Sequence, residues 1–230
     1  MMRAVRGRIH ARAASWTLAV LAGATAGPVV AAGPALPSAA EWNFRALLDG
    51  KPIGQHRFSL STQGDERQLI SEASFAIKLL GITAYRYRHK ATEQWRGDCL
   101  TALSSTTDDD GTPSSVRAEP AGDSLSVKVA TAAVTATQAL SGCVMSFAYW
   151  NPAIQTQTRL LNAQTGKAES VQVSRVGSGS VEVRGQSVAA TQFRITGPAQ
   201  PIDVWYSAQG EWIGLDSLVA GGRKLSYRLQ

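Results

Sequence analysis

The chain has 230 residues, with 23 Lys and Arg against 17 Asp and Glu, for a formal charge of +6. Four of those cations, Arg3, Arg6, Arg8 and Arg12, stand in an opening stretch without an acidic residue, so residues 33–230 carry only +2. That near-neutral remainder holds no Lys/Arg run, which excludes nucleic acid as a partner class. It also holds no stretch near the ~18 consecutive apolar residues of a transmembrane helix.

Residues 1–32 read as a secretory signal peptide. The arginines form its basic head, Ala13–Ala26 is an apolar stretch too short to span a bilayer, and Val30-Ala31-Ala32 offers the small residues of a cleavage site. No cysteine lies at that site, so no lipid anchor is expected there. Residues 33–41 begin with a Pro/Ala/Ser spacer expected to be flexible, and residues 42–230 suit a single all-β domain.

From Trp42 onward the pattern is period-two alternation broken by turn residues, which is strand periodicity. Trp42, Phe44, Ala46 and Leu48 alternate up to Asp49-Gly50-Lys51-Pro52. His56, Phe58 and Leu60 share a face of the second strand, and Leu69, Ser71, Ala73, Phe75, Ile77 and Leu79 a face of the third. The fourth strand is long and two-faced. Tyr85, Tyr87, His89, Ala91, Glu93 and Trp95 fall on one side, Arg86, Arg88, Lys90 and Arg96 on the other. A fifth runs from Cys99 to Thr107 and stops at Asp108-Asp109-Asp110-Gly111, which reads as a hairpin turn: a calcium loop needs ligands at offsets that Thr-Pro-Ser-Ser does not supply.

Alternation weakens over 125–137, then returns over 171–176, 180–184, 188–196, 202–207, 212–218 and 224–229, with Gly177-Ser178-Gly179 read as a hairpin. Ten to twelve antiparallel strands imply an all-β fold, a strongly curved antiparallel sheet or open β-barrel. An outer-membrane barrel fits poorly, because the strand face opposite Arg86, Arg88 and Lys90 already reads as packed interior.

Cys99 and Cys143 are the only cysteines. An even count in an exported chain reads as a disulfide, and neither lies in a CxxC or beside a histidine. The densest stretch, Cys143 to Pro152, ends in Tyr149-Trp150-Asn151-Pro152. Asn151 suits an N-cap and Pro152 the first helical position, so one short helix from 152 to 161 is expected to close an end of the barrel.

His56, Tyr87, His89 and Glu93 share the inner face. They form either a polar cluster inside a cavity or satisfied groups at a barrel rim. No nucleophile elbow, zinc-type histidine pair, phosphate-binding glycine loop or flavin fingerprint occurs. The expectation is no metal and no cofactor.

The segments Leu47–Gly54, Tyr85–His89, Phe147–Pro152 and Leu160–Gly166 resemble a family of exported bacterial proteins catalogued as domain of unknown function 6134. The Phe-Ala-Tyr-Trp-Asn-Pro block is the most specific part of the resemblance, which implies a periplasmic or secreted location in the Gram-negative envelope and no assigned activity. The opening Asp-Gly-Lys-x-Ile-Gly hairpin with its long following strands is more weakly similar to periplasmic lipoprotein-carrier and lipocalin-like half-barrels, a likeness of shape alone.

The leading functional reading is a non-enzymatic periplasmic protein binding an apolar or lipid-like small molecule. The expected ligand contacts are His56, Tyr85, Tyr87, His89, Glu93, Trp95, Tyr149, Trp150 and Asn151. Two rivals stand beside it: an enzyme using His89, Glu93 and Tyr87, and an envelope interaction module presenting Arg86, Arg88 and Lys90.

Overall fold

The computed structural model describes residues 39–79 and 82–230. The expected signal peptide and residues 33–38 of the spacer lie outside the described residues.

Two up-and-down meanders make up the fold. The first comprises β1 (Ala39–Leu48), β2 (Lys51–Gln63), β3 (Glu66–Leu79), β4 (Ile82–Arg96), β5 (Cys99–Asp109), β6 (Thr112–Ala121), β7 (Ser124–Thr131) and β8 (Thr135–Ser141). A crossing segment follows, with a 3-10 turn at Pro152–Thr156 and a small hairpin of β9 (Arg159–Leu161) and β10 (Ala168–Ser170). The second meander is β11 (Gln172–Val183), β12 (Gln186–Thr196), β13 (Ile202–Ser207), β14 (Trp212–Val219) and β15 (Arg223–Leu229).

The meanders join where β15 pairs antiparallel with β1, setting Phe44 opposite Leu229 and Leu48 opposite Leu225. The result is one 13-stranded sheet with β11 and β8 at its edges, so the barrel is open. Turn chemistry drives the meanders. Asp49-Gly50 and Asp110-Gly111 both take positive φ at both residues, the conformation that two-residue hairpins of matching twist require.

One face of the sheet is largely apolar and wraps a single core. Phe44 of β1 packs on Trp212 of β14 with ring centroids 4.3 Å apart. The Tyr206 hydroxyl donates across the interior to the Tyr149 carbonyl at 2.8 Å. The crossing segment fills part of that interior, and Ile154, Leu160 and Leu161 are buried in it.

Cys99 and Cys143 form a disulfide that ties the start of this segment to β5, and Leu100 N–H donates to the Val144 carbonyl beside it at 2.8 Å.

Several expectations need correction. β1 begins at Ala39, so residues 39–41 are strand rather than spacer. The expected helix at 152–161 is a five-residue 3-10 turn, after which Arg159–Leu161 pairs as strand. Asn151 caps that turn and Pro152 opens it, as its local chemistry demands. Gly177–Gly179 lies inside β11, not at a hairpin: the register shifts between Arg175 and Gly177, and Gly179 makes room for the Trp205 ring.

Strands total fifteen among the described residues rather than ten to twelve, partly because Pro113 and Pro120 interrupt the strand pattern of β6. Pro120 is tolerated because it lies beyond the β5 pairing and faces only β7.

Candidate functional site

Alternation along β4 divides its side chains cleanly. Tyr87, His89, Ala91, Glu93 and Trp95 are buried on the inner face with Tyr85 partly so, while Arg86, Arg88, Lys90 and Arg96 are exposed. Lys90 is neutralised by Glu72 at 2.8 Å, and Arg88 stands opposite Asp108 of β5.

Two cavities meet on the inner face. An apolar trough of about 630 Å³ is lined by Leu48, Ile53, Phe75, Ile77, Tyr85, Tyr87, Leu225 and Tyr227 among others. A smaller chamber of about 210 Å³ lies beneath the crossing segment, walled by Phe58, Ser71, His89, Glu93, Phe147, Tyr149 and Trp150. His56 and Gln164 line both. A shallower groove of about 800 Å³ over Thr106–Asp108 and Pro113–Ser115 lies more open to solvent.

His56 stands at the junction. Its Nε2 is 2.7 Å from Ser71 Oγ and its Nδ1 is 3.2 Å from the Tyr227 hydroxyl. Its ring stacks on Phe58 at 4.0 Å. Burial, with His89 nearby, pulls its pKa down to about 3. His89 Nδ1 is 2.9 Å from Thr107 Oγ1, and burial lowers its pKa to about 4. Both imidazoles are therefore neutral across the physiological range.

Glu93 shows the opposite consequence of burial: desolvation raises its pKa to about 7, with Ser146 and Trp95 pulling the other way. Trp95 Nε1 donates to its Oε2 at 3.0 Å.

Among the described residues, three buried polar side-chain atoms in this region have no hydrogen-bond partner: the Tyr87 hydroxyl, Trp150 Nε1 and Ser146 Oγ. Ser146 is near enough to Glu93 to favour its anion without a bond of standard geometry. Each unpartnered buried donor costs about 1–3 kcal/mol. Such groups mark where a ligand could supply the missing acceptor.

The Asp108–Asp110 carboxylates are engaged by their own turn and by β4. Asp108 accepts from Gly111 N–H, Asp109 from the Tyr85 hydroxyl and Asp110 from Arg86 N–H.

The motif-bearing segments around this site carry a family likeness over nearly the whole described domain. A family model described as Domain of unknown function (DUF6134) matches residues 44–230. The chain belongs to this family. No curated protein matches it. Among solved structures it is similar to the crystal structure of a β-barrel-like protein of domain of unknown function DUF1849 from Brucella abortus, with a TM-score of 0.59. Identity is 11%, over 84% of this chain and 94% of that one. At that identity the likeness shows the β-barrel-like fold alone.

Of the residues expected to contact ligand, His56, Tyr85, Tyr87, His89, Glu93, Tyr149 and Trp150 line the two cavities. Trp95 and Asn151 do not. Trp95 is fully buried against Trp150 with ring centroids 5.5 Å apart. Asn151 accepts from Ala153 N–H and donates to Asp98, each at 3.0 Å, so its amide serves the cap and its tether. The cavities add residues the sequence reading passed over. Ser71 and Phe75 were on the right face of β3. Tyr227 becomes visible only once β15 is known to pair with β1.

Proposed function

We propose that the protein is a non-enzymatic binding protein of the bacterial envelope that holds an apolar or lipid-like ligand on the inner face of its sheet. The observation that carries this reading is the 630 Å³ apolar trough, lined by Tyr87 with its unpartnered hydroxyl and sharing His56 and Gln164 with a chamber walled by Trp150, whose indole N–H also lacks a partner. Its volume lies within the range of small-molecule sites. The apolar part of the ligand occupies the trough and its polar end the chamber.

The chamber's chemistry narrows that end. Trp150 Nε1, on the chamber wall, can only donate, the Tyr87 hydroxyl in the adjoining trough is free to donate, and both imidazoles are neutral. These groups suit an uncharged acceptor, such as an ester or ketone oxygen, over an ionised head. The basic, apolar, small-residue order of residues 1–32 supports an envelope location.

The test is retention of an apolar fluorescent probe, N-phenyl-1-naphthylamine, together with mass spectrometry of solvent extracts from the purified protein. Ala73→Phe fills the trough from its wall. Wild type should bind the probe and yield a lipid-like species, and Ala73→Phe should do neither while melting cooperatively. Equal probe binding by both proteins overturns the reading.

A second reading rests on the Ser71–His56–Tyr227 contacts, which set a hydroxyl, an imidazole and an orienting group in line as in acyl-transfer enzymes. A base held to about 3 is weak, and a neutral tyrosine cannot balance an imidazolium as a carboxylate does. Covalent capture of Ser71 by a fluorophosphonate would favour this second reading over simple binding.

A further inference from the structure

The two ends of the sheet differ in what they expose. Antiparallel connectivity puts the β1–β2, β3–β4, β5–β6, β7–β8 and β14–β15 connections at one end. Four large hydrophobic side chains are exposed among the described residues: Ile82 at 74%, Val134 at 58%, Val176 at 49% and Leu218 at 44%. Three of them, Ile82, Val134 and Leu218, belong to that one end. The apolar trough opens there as well, since its lining runs out to the exposed Asp109 and Arg223.

We propose that this end docks on a lipid bilayer, with Ile82, Val134 and Leu218 entering the interface and the trough mouth facing the membrane. The three side chains sit at or beside separate connections of this end and do not form one flat patch. A stable protein interface needs about 800 Å² of continuous surface on each partner. A fluid interface accepts separate apolar points one by one, each gaining by the area it removes from water.

Charge around the mouth is compatible with head groups. Lys51 and Lys78 are exposed and enter none of the ion pairs among the described residues, Arg223 pairs with Asp49 at 2.7 Å, Asp108 is held by its turn, and Asp109 and Asp110 accept from β4. The apolar contacts carry the binding, and the two lysines add a modest preference for anionic lipid. The proposal extends the binding reading, because an apolar ligand could then pass between bilayer and trough without crossing water.

The experiment is flotation of the purified protein with phosphatidylethanolamine vesicles containing phosphatidylglycerol. Wild type should float with the vesicles. The exposed-site double variant Ile82→Asp/Leu218→Asp should lose about tenfold or more of its partitioning while melting as wild type does. Val176→Asp, at the bulge of β11 away from the mouth, should float unchanged. Failure of wild type to float overturns the proposal, as does equal loss in the Val176 and mouth variants. Self-association without vesicles that the double variant abolishes also overturns it, because a second copy would then cover this end. Ala73→Phe should still float, so a trough that binds nothing is distinguishable from an end that binds no membrane.

Discussion

The inner face of the sheet is covered in two different ways. Over β5–β8 the crossing segment lies directly on the strands. Ser105 Oγ donates to the Ala163 carbonyl at 2.6 Å, Gln138 Nε2 donates to the Gly166 carbonyl, and Gly166 sits against Val116 and Val129. Met145, Leu160 and Leu161 are almost wholly buried there. Toward the turn ends of β1–β4 and β15 the segment contributes only Gln164, and the trough remains. That space is faced by the aromatic rings of His56, Phe75, Tyr85, Tyr87 and Tyr227 beside aliphatic Leu48, Ile53, Ile77 and Leu225, where the filled half has chiefly Val, Ala and Leu. The larger trough remains where the segment does not reach and is lined by Tyr87, whereas the smaller chamber lies beneath the segment, which itself carries the unpartnered Ser146 and Trp150.

Breaking the filled half should give the largest effect. The Cys99–Cys143 disulfide closes a 44-residue separation, worth about 4 kcal/mol in the chain-entropy view. Cys99→Ser/Cys143→Ser should therefore lower stability by about 3–4 kcal/mol in denaturant melts and open residues 142–170 to limited proteolysis. An unchanged melt would mean that packing alone holds the segment. Gly166→Ala tests the same contact from within. Gly166 has φ of 68°, and an added Cβ would stand 2.3 Å from Val129 Cγ2, so a loss of about 2–3 kcal/mol is expected in the same melts.

The sequence was most legible where local chemistry decides. Period-two alternation placed the inner and outer faces of β1–β5, the Asp-Gly pairs marked turns, and Asn151-Pro152 marked a helical start. It was least legible where distant contacts decide. The expected helix stopped at Thr156 because Arg159–Leu161 pairs with β10 and with Ser146, a contact no propensity encodes. Gly177–Gly179 resembled a turn because the ring of Trp205 that needs the space comes from another strand. The site followed the same rule: the β4 residues could be read by alternation, whereas Tyr227 enters by the pairing of β15 with β1.

Titration separates the two sides of the polar chamber. Glu93 holds its proton more tightly when folded, with a pKa raised from 4.5 to about 7. Its stabilising share is thus complete below about 4.5 and is lost as pH rises through 7. The histidines run the other way. Their folded pKa values fall from 6.5 to about 3 and about 4, so stability is lost as pH drops below 6.5 toward those values. Glu93→Gln removes only the first effect. The stability difference between wild type and variant should shift against wild type by about 2–3 kcal/mol from pH 4.5 to 8. A flat difference across that range would mean that the carboxylate is already solvated.

The smallest effect is expected at Tyr87, and it bears most directly on the unfilled half. Its ring stacks on Phe75 with centroids 5.4 Å apart, while its buried hydroxyl bonds to nothing. Tyr87→Phe keeps the ring and removes only the unsatisfied donor, so stability should stay within about 0.5 kcal/mol of wild type or rise slightly. If that hydroxyl serves the ligand, affinity for an acceptor-bearing apolar molecule should fall about three- to tenfold, the range of one hydrogen bond. His89→Ala offers the contrast, because it breaks the contact with Thr107 and should cost stability as well. A Tyr87→Phe protein that melts lower and retains its ligand fully would make the hydroxyl part of the core, and the division between a packed half and a binding half would then have to be drawn elsewhere.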